Sequence, residues 1–207
     1  MQIVLVIAIG LAIIIAAYLL WIRPRLLKWG ATDEEFARKM LGDEVVSRPT
    51  FNATRGVTIR ARPEEIWPWL VQIGSKRAGW YSIDWMDNAG IPSARHIISE
   101  FQHIEAGDFI PFTPDGKNGM WVKAFEPNHW ILWWDKKGQA TWLWCLEPID
   151  QNHTRLITRL HTRYSWASPW IIYYLLYDVG DIVMMRKCML GIKERAETTD
   201  VNVIKPA

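Results

Sequence analysis

The N-terminal 22 residues carry no charged side chain, and the basic residues Arg23 and Arg25 follow at once. A helix rises about 1.5 Å per residue and the hydrocarbon core of a bilayer is about 30 Å thick, so roughly 20 apolar residues cross it. The uncharged segment has that length, and Tyr18 and Trp21 lie near its end, where aromatic rings favour the membrane boundary. The sequence therefore predicts a membrane-spanning helix over residues 1–22.

Two other interpretations of this segment are less consistent with its residues. A cleaved secretory signal begins with basic residues and ends in a small-x-small cleavage site, and neither feature is found here. A buried core helix usually keeps a polar stripe, which this segment lacks. Because the cations flank only the C-terminal end, the positive-inside rule predicts a single-pass anchor with the following domain in the cytoplasm.

Composition excludes several classes of function. After the anchor about 180 residues remain, enough for one domain with its own core. The net charge is +2, from 24 basic and 22 acidic residues, so we expect no nucleic-acid partner. Cys145 and Cys188 form no C-x-x-C pair, the histidines show no i,i+4 spacing, and no glycine-rich phosphate loop occurs. We therefore expect neither a metal site nor a cofactor.

In the rest of the chain, the sequence pattern predicts one helix, a series of strands and a final long helix. Pro63 followed by two acidic residues is typical of a helix start. The strand segments are short, apolar or alternating, and separated by turn residues at intervals of roughly 10 residues. They are 51–61, 97–104, 109–113, 120–125, 130–135, 140–147 and 154–164. From Ser168 to about Glu197 the pattern favours a helix. This order predicts an α+β domain whose antiparallel sheet has about seven strands.

The last predicted strand alternates strictly between two faces. Leu160 and Tyr164 share the face that we expect to point inward, and Trp142 and Trp144 share the same face one strand away. Arg155, Arg159 and His161 share the other face, which we expect to be solvated, as is usual for an antiparallel sheet. Around residues 130–134 both faces are apolar, so each requires a covering layer.

Three local segments accompany this order of elements, namely 61–72, 77–88 and 184–193. Together they resemble the SRPBCC superfamily, which includes START lipid-transfer domains, pollen-allergen-like ligand carriers and polyketide cyclases, and in particular a membrane-attached branch of it. The resemblance implies a helix-grip fold, in which the sheet wraps around the last helix and leaves a cavity between them. It divides the chain into an anchor at 1–22, a juxtamembrane stalk at 23–49, a helix-grip domain at 50–199 and a tail at 200–207.

Fourteen tryptophans are unusual for this length, and large aromatic rings line apolar pockets. Combined with the resemblance, they suggest residues that would line the ligand cavity. These are Trp80, Tyr81, Asp84, Trp85, Trp142, Trp144, Leu160, Tyr164 and Ile182. In a helix over 79–88, Tyr81, Asp84 and Trp85 would share one face and close one end of the cavity. The alternative is a structural corner in which Asp84 pairs with Arg77 or caps backbone amides.

Asp178 and Asp181 interrupt an otherwise apolar stretch of the last helix. Buried unpaired carboxylates are costly, so we expect these two to reach solvent, to pair with a cation or to lie at the cavity mouth.

Three functions stay open at this point. The first is a membrane-tethered domain that binds a lipid or another hydrophobic small molecule. The second is an enzyme of cyclase or dehydratase type acting on an aromatic or polyketide-like substrate. Its general acid or base would be Asp84, Tyr81 or His161. The third is a non-catalytic scaffold whose aromatic core leaves no cavity. The oligomeric state is left open.

Overall fold

The computed structural model describes residues 2–165, 167, 169 and 171–198, except for the side chains of residues 8 and 171–177. The predicted tail at 200–207 and the predicted helix start at Ser168 lie outside this part of the chain. The helices are α1 (Gln2–Ala17), a π-helical turn (Tyr18–Ile22), α2 (Arg23–Leu27), α3 (Asp33–Ala37), α4 (Pro63–Val71), α5 (Asp84–Asp87), a 3₁₀ turn (Ser99–Phe101) and α6 (Ile171–Thr198). The strands are β1 (Phe51–Ile59), β2 (Phe109–Pro111), β3 (Gly119–Glu126), β4 (Trp130–Trp134), β5 (Ala140–Pro148) and β6 (Thr154–Thr162).

The strands form one antiparallel sheet in the order β1-β6-β5-β4-β3-β2. Helix α6 packs against β1 and α4. This is the α+β, helix-grip arrangement predicted from the sequence. Its core contains the inward residues of the sheet, including Trp142, Trp144 and Leu160, which are all buried as expected.

The described residues contain six strands where about seven were predicted. The segment 97–104 is a loop with one 3₁₀ turn. Its backbone is held by a buried side chain and not by a neighbouring strand: Gln72 Oε1 accepts from the Ile98 amide at 2.9 Å, and Gln72 Nε2 donates to the His96 carbonyl at 3.2 Å. Because a side chain satisfies these groups, the segment has no need of strand pairing.

The segment 77–88 also differs from prediction, because only Asp84–Asp87 is helical. Tyr81 lies before this turn with a φ of +56°, and its amide donates to the Ser93 hydroxyl at 3.0 Å. A left-handed residue cannot continue a right-handed helix, so Tyr81 and Asp84 do not share a helical face. Trp85 is 75% exposed and points away from the core.

An outer layer, residues 28–48, covers the sheet face opposite α6. In it Thr32 and Glu35 form the capping box that begins α3, with the Thr32 hydroxyl accepting from the Glu35 amide at 3.1 Å. Met40 packs on Leu132, Leu143 and Ile157. Both faces of β4 are therefore covered, as its composition requires. Most of the predicted juxtamembrane stalk, residues 23–49, belongs to this layer and packs against the sheet.

The expectation of a solvated face on β6 is wrong for Arg159 and His161, which the outer layer buries. Arg155 is half-buried, and Arg163, the next residue expected on this face, is exposed. The Arg159 guanidinium donates to the Asp43 carboxylate at 2.8 Å and to the carbonyls of Glu35 and Phe36 at 2.6 and 2.9 Å. Arg155 pairs with the Glu35 carboxylate at 2.7 Å. A buried arginine is tolerated when its donors are all engaged in this way.

Among the described residues, one helix is long and apolar enough to cross a membrane, the continuous run Gln2–Leu27. Its apolar side chains are exposed along their length, including Ile3, Val6 and Ile14. At its C-terminal end Arg23 pairs with Asp178 of α6 at 2.6 Å and donates to the Tyr164 hydroxyl at 3.2 Å. The apolar helix and the last helix are therefore joined at this point.

Candidate functional site

A cavity lies between the sheet and α6, with a volume of about 310 Å³. Its wall is mainly aromatic rings and methionine side chains, with two carboxylates and one thiol. The lining residues are Trp80, Ser82, Met86, Asp87, Phe112, Thr113, Pro114, Trp142, Gly180, Asp181, Met184, Met185 and Cys188. Its size is at the small end of the range of about 300–1,000 Å³ for ligand pockets.

Three aromatic rings build one wall of this cavity. Trp80 stacks on Trp142, with centroids 5.8 Å apart and planes at 6°. Phe112 meets both rings edge-on, at 5.3 Å and 5.5 Å. The Trp142 indole nitrogen is satisfied by the Thr158 hydroxyl at 2.7 Å, so the ring offers the cavity an apolar surface. Trp144 stacks behind Trp142 at 5.3 Å.

An ion pair holds α6 to the sheet beside the cavity. Arg55 of β1 donates to Asp181 at 2.6 Å, and the side chains are 1% and 7% exposed. Burial raises the pKa of Asp181, and the Arg55 charge opposes that rise. Of the three alternatives expected for the two aspartates of the last helix, this contact and the Arg23–Asp178 pair show pairing with cations, and Asp181 also lines the cavity.

Asp87 is the polar residue of this cavity that sequence reasoning missed. It is 5% exposed, and neither carboxylate oxygen has a hydrogen-bond partner among the described residues. Burial raises its pKa to about 6; the Ile83 amide and the Ser82 hydroxyl oppose the rise but make no well-formed hydrogen bond to it. The sequence offers one weak signal for Asp87, its position directly after the apolar pair Trp85-Met86. Nothing in the spacing favours Asp87 over Asp84 as a residue of the site.

The structure does not bring the three catalytic candidates together. The buried Tyr81 hydroxyl accepts from Gln72 at 2.9 Å and donates to the Trp69 carbonyl at 3.2 Å, and burial raises its pKa. Asp84 accepts from the Ser93 hydroxyl at 2.5 Å. His161 lies on the other face of the sheet, where it contacts Asn52 at 3.0 Å and burial lowers its pKa.

Asp84 belongs to a structural corner, but the pair with Arg77 that was one alternative for this corner is not formed. Arg77 donates to the carbonyls of Val71 and Phe101 at 2.9 and 3.4 Å and lies over the Phe101 ring. The Asp84 carboxylate instead fixes the Ser93 hydroxyl that holds the Tyr81 amide. Tyr81 and Asp84 border a second, external groove on the other flank of α6, with a volume of about 510 Å³.

The other residues predicted to contact the ligand lie in three different places. Trp80 and Trp142 line the cavity. Leu160 and Ile182 are buried nearby without lining it. Tyr164 lies at the junction with the apolar helix, where its hydroxyl is 3.4 Å from Asp178.

No protein family matches the chain in sequence, and no curated protein does either. Solved structures do resemble it. A conserved protein of unknown function from Enterococcus faecalis is 15% identical, covering 78% of this chain and 80% of its own, with a TM-score of 0.45. A Polyketide_cyc-like protein from Corynebacterium glutamicum is 14% identical over 69% and 88%, with a TM-score of 0.44. A protein from Nitrosomonas europaea is 10% identical over 77% and 98%, with a TM-score of 0.48. The fold assignment rests on this chain's own elements and sheet order.

Proposed function

We propose that this protein is a membrane-anchored helix-grip domain that binds a hydrophobic small molecule, such as a lipid, between its sheet and α6. The observation that carries the proposal is the cavity of about 310 Å³ with its wall of Trp80, Phe112 and Trp142. A core packed to the usual density leaves few voids larger than a water molecule. The scaffold alternative, with a filled core, therefore fits this structure less well.

The apolar N-terminal helix supports the membrane part of the proposal. Its length and composition suit a bilayer. Through Arg23 and Asp178 its end contacts the same helix that lines the cavity. A ligand dissolved in the membrane would then be concentrated close to its site, which raises occupancy without new contacts. The basic flank Arg23–Lys28 favours the cytoplasmic side for the domain.

Binding is favoured over catalysis by where the candidate acids and bases lie. The hydroxyl of Tyr81 is engaged in structural hydrogen bonds, Asp84 holds a corner, and His161 lies behind the sheet. A cyclase or dehydratase needs such groups in reach of the substrate. None of the three lines the cavity among the described residues.

A pair of variants in α6 tests the proposal. Met184→Trp puts a larger ring into the cavity wall, while Val183→Trp places the same ring on the exposed side of the same helix. We expect the full-length protein and Val183→Trp to co-purify with a hydrophobic molecule that mass spectrometry identifies in organic extracts. Met184→Trp should lose it. Equal recovery from both variants, or no bound molecule in any preparation, would contradict the proposal.

A further inference from the structure

The buried carboxylate of Asp87 lacks the counter-charge or donors that such a group normally has. Both oxygens are shielded from water without a partner among the described residues. The neighbouring Ser82 hydroxyl is already used, because it donates to the Met184 carbonyl at 2.9 Å. Although burial raises the pKa of Asp87 to about 6, the group is still mostly ionised at neutral pH. An ionised, unpaired carboxylate in this position is expensive.

The charged groups around Asp87 do not neutralise it. Asp181, the other carboxylate of the cavity, is neutralised by Arg55. The exposed cations of α6, Arg186 and Lys187, line the external groove on the other flank of the helix. The side chains of 171–177, which the structure leaves undescribed, include no lysine or arginine in the sequence. Among the residues that the structure describes, the cavity therefore keeps an excess negative charge on Asp87.

The aromatic wall suits the apolar part of a ligand. Trp80, Phe112 and Trp142 line the cavity together with Asp87, and their rings offer a large apolar contact surface. We infer that the ligand of this cavity is a lipophilic amine, an inference that rests on the proposed function. The amine would bind as its ammonium ion, with the charged nitrogen at Asp87 and the apolar part against the aromatic wall.

An ammonium group with N–H bonds supplies what Asp87 lacks. Its donors satisfy the two carboxylate oxygens with charge-assisted hydrogen bonds, which are roughly twice as strong as neutral ones. Both oxygens are shielded in the structure, so binding of the ammonium ion requires a rotation of the Asp87 side chain that turns an oxygen toward the cavity. A neutral alcohol offers a single donor without charge, and a carboxylate ligand would be repelled.

Three naphthalene probes of similar size test this inference: 2-(1-naphthyl)ethylamine, 2-(1-naphthyl)ethanol and the carboxylate 1-naphthylacetate. Binding to the full-length protein in lipid nanodiscs at pH 7.5 is measured by isothermal titration calorimetry, with empty nanodiscs as the blank. We expect the amine to bind about tenfold more tightly than the alcohol, and naphthylacetate to bind most weakly. The variants are Asp87→Asn and, as a control with the same change of charge at an exposed site, Glu100→Gln.

Asp87→Asn should abolish the preference, so that the amine binds no more tightly than the alcohol, and Glu100→Gln should keep the preference. Alcohol binding equal to amine binding in the unchanged protein would overturn the amine inference and leave the hydrophobic cavity intact. Tightest binding of naphthylacetate would overturn it in favour of a protonated Asp87 acting as a donor. Failure of all three probes would overturn the proposed function itself and the inference with it.

Discussion

Two glycines of α6 provide a sharp test of how the last helix packs. A Cβ at Gly191 would collide with the Tyr81 carbonyl oxygen and would lie 2.8 Å from Tyr81 Cβ. A Cβ at Gly180 would meet nothing within 4 Å. Carbon atoms normally approach to about 3.5–4.0 Å, so only the first substitution is overpacked. Both positions lie inside the same helix.

The two substitutions should change the free energy of unfolding in opposite directions. Alanine is favoured over glycine inside a helix by about 1 kcal/mol, so Gly180→Ala should raise the free energy of unfolding by about that amount. Overpacking costs about 1–3 kcal/mol. The obstacle at Gly191 is backbone that Ser93 and Gln72 hold in place, which puts the cost at the upper end. After the propensity gain, Gly191→Ala should lose about 2 kcal/mol.

Urea unfolding of the full-length protein in detergent micelles, followed by tryptophan fluorescence, measures both changes. The two variants should differ by about 3 kcal/mol, the sum of the two effects. If Gly191→Ala is as stable as Gly180→Ala, α6 does not rest on the Tyr81 backbone. The left-handed corner at Tyr81 would then not set the position of the helix.

Three further predictions concern buried charges. Asp181→Asn should lower the free energy of unfolding by about 3–5 kcal/mol, because it leaves its arginine partner buried without counter-charge. Glu194→Gln, which breaks an exposed pair, should cost less than about 1 kcal/mol. The raised pKa of Asp87 means that the folded state binds its proton more tightly than the unfolded state. The contribution of Asp87 to stability should therefore be lost as the pH rises from about 4 to about 6, and this pH-dependent part should be absent in Asp87→Asn. Arg159→Met should speed tryptic cleavage within the outer layer, whereas Arg163→Gln, with one long contact to the layer, should not.

Each of these has a result that would refute it. Equal unfolding energies for Asp181→Asn and Glu194→Gln would mean that the pair joining α6 to the sheet is solvated. Parallel stability curves from pH 4 to pH 7 for Asp87→Asn and the unchanged protein would mean that the carboxylate has found a partner. Tryptic cleavage of Arg159→Met at the unchanged rate would mean that the outer layer is held by its apolar contacts alone.

Sequence reasoning succeeded where the information is local. The alternation in β6 identifies its inward residues, Leu160 among them. Sequence reasoning also included pairing with cations among the three alternatives for Asp178 and Asp181, because burial of an unpaired carboxylate is costly anywhere in a fold.

The partners themselves could not be predicted, because they are remote in sequence. Asp178 meets Arg23 across 155 residues, and Asp181 meets Arg55 across 126. The burial of Arg159 depends mainly on backbone carbonyls of the outer layer, and a carbonyl leaves no signature in a pattern of side chains. Asp87 was missed for a related reason, since an unpaired carboxylate is recognised only when its surroundings are known.

The pairing of Arg23 with Asp178 has a mechanical consequence for a protein anchored as proposed. A transmembrane helix tilts to match its apolar length to the thickness of the bilayer. Because the end of the apolar helix is joined to α6, and the outer layer leaves no long free linker between membrane and domain, tilting the helix turns the cavity with it. Bilayer thickness would then set the angle at which the cavity mouth faces the lipid surface, so that membranes of different composition present the same site differently.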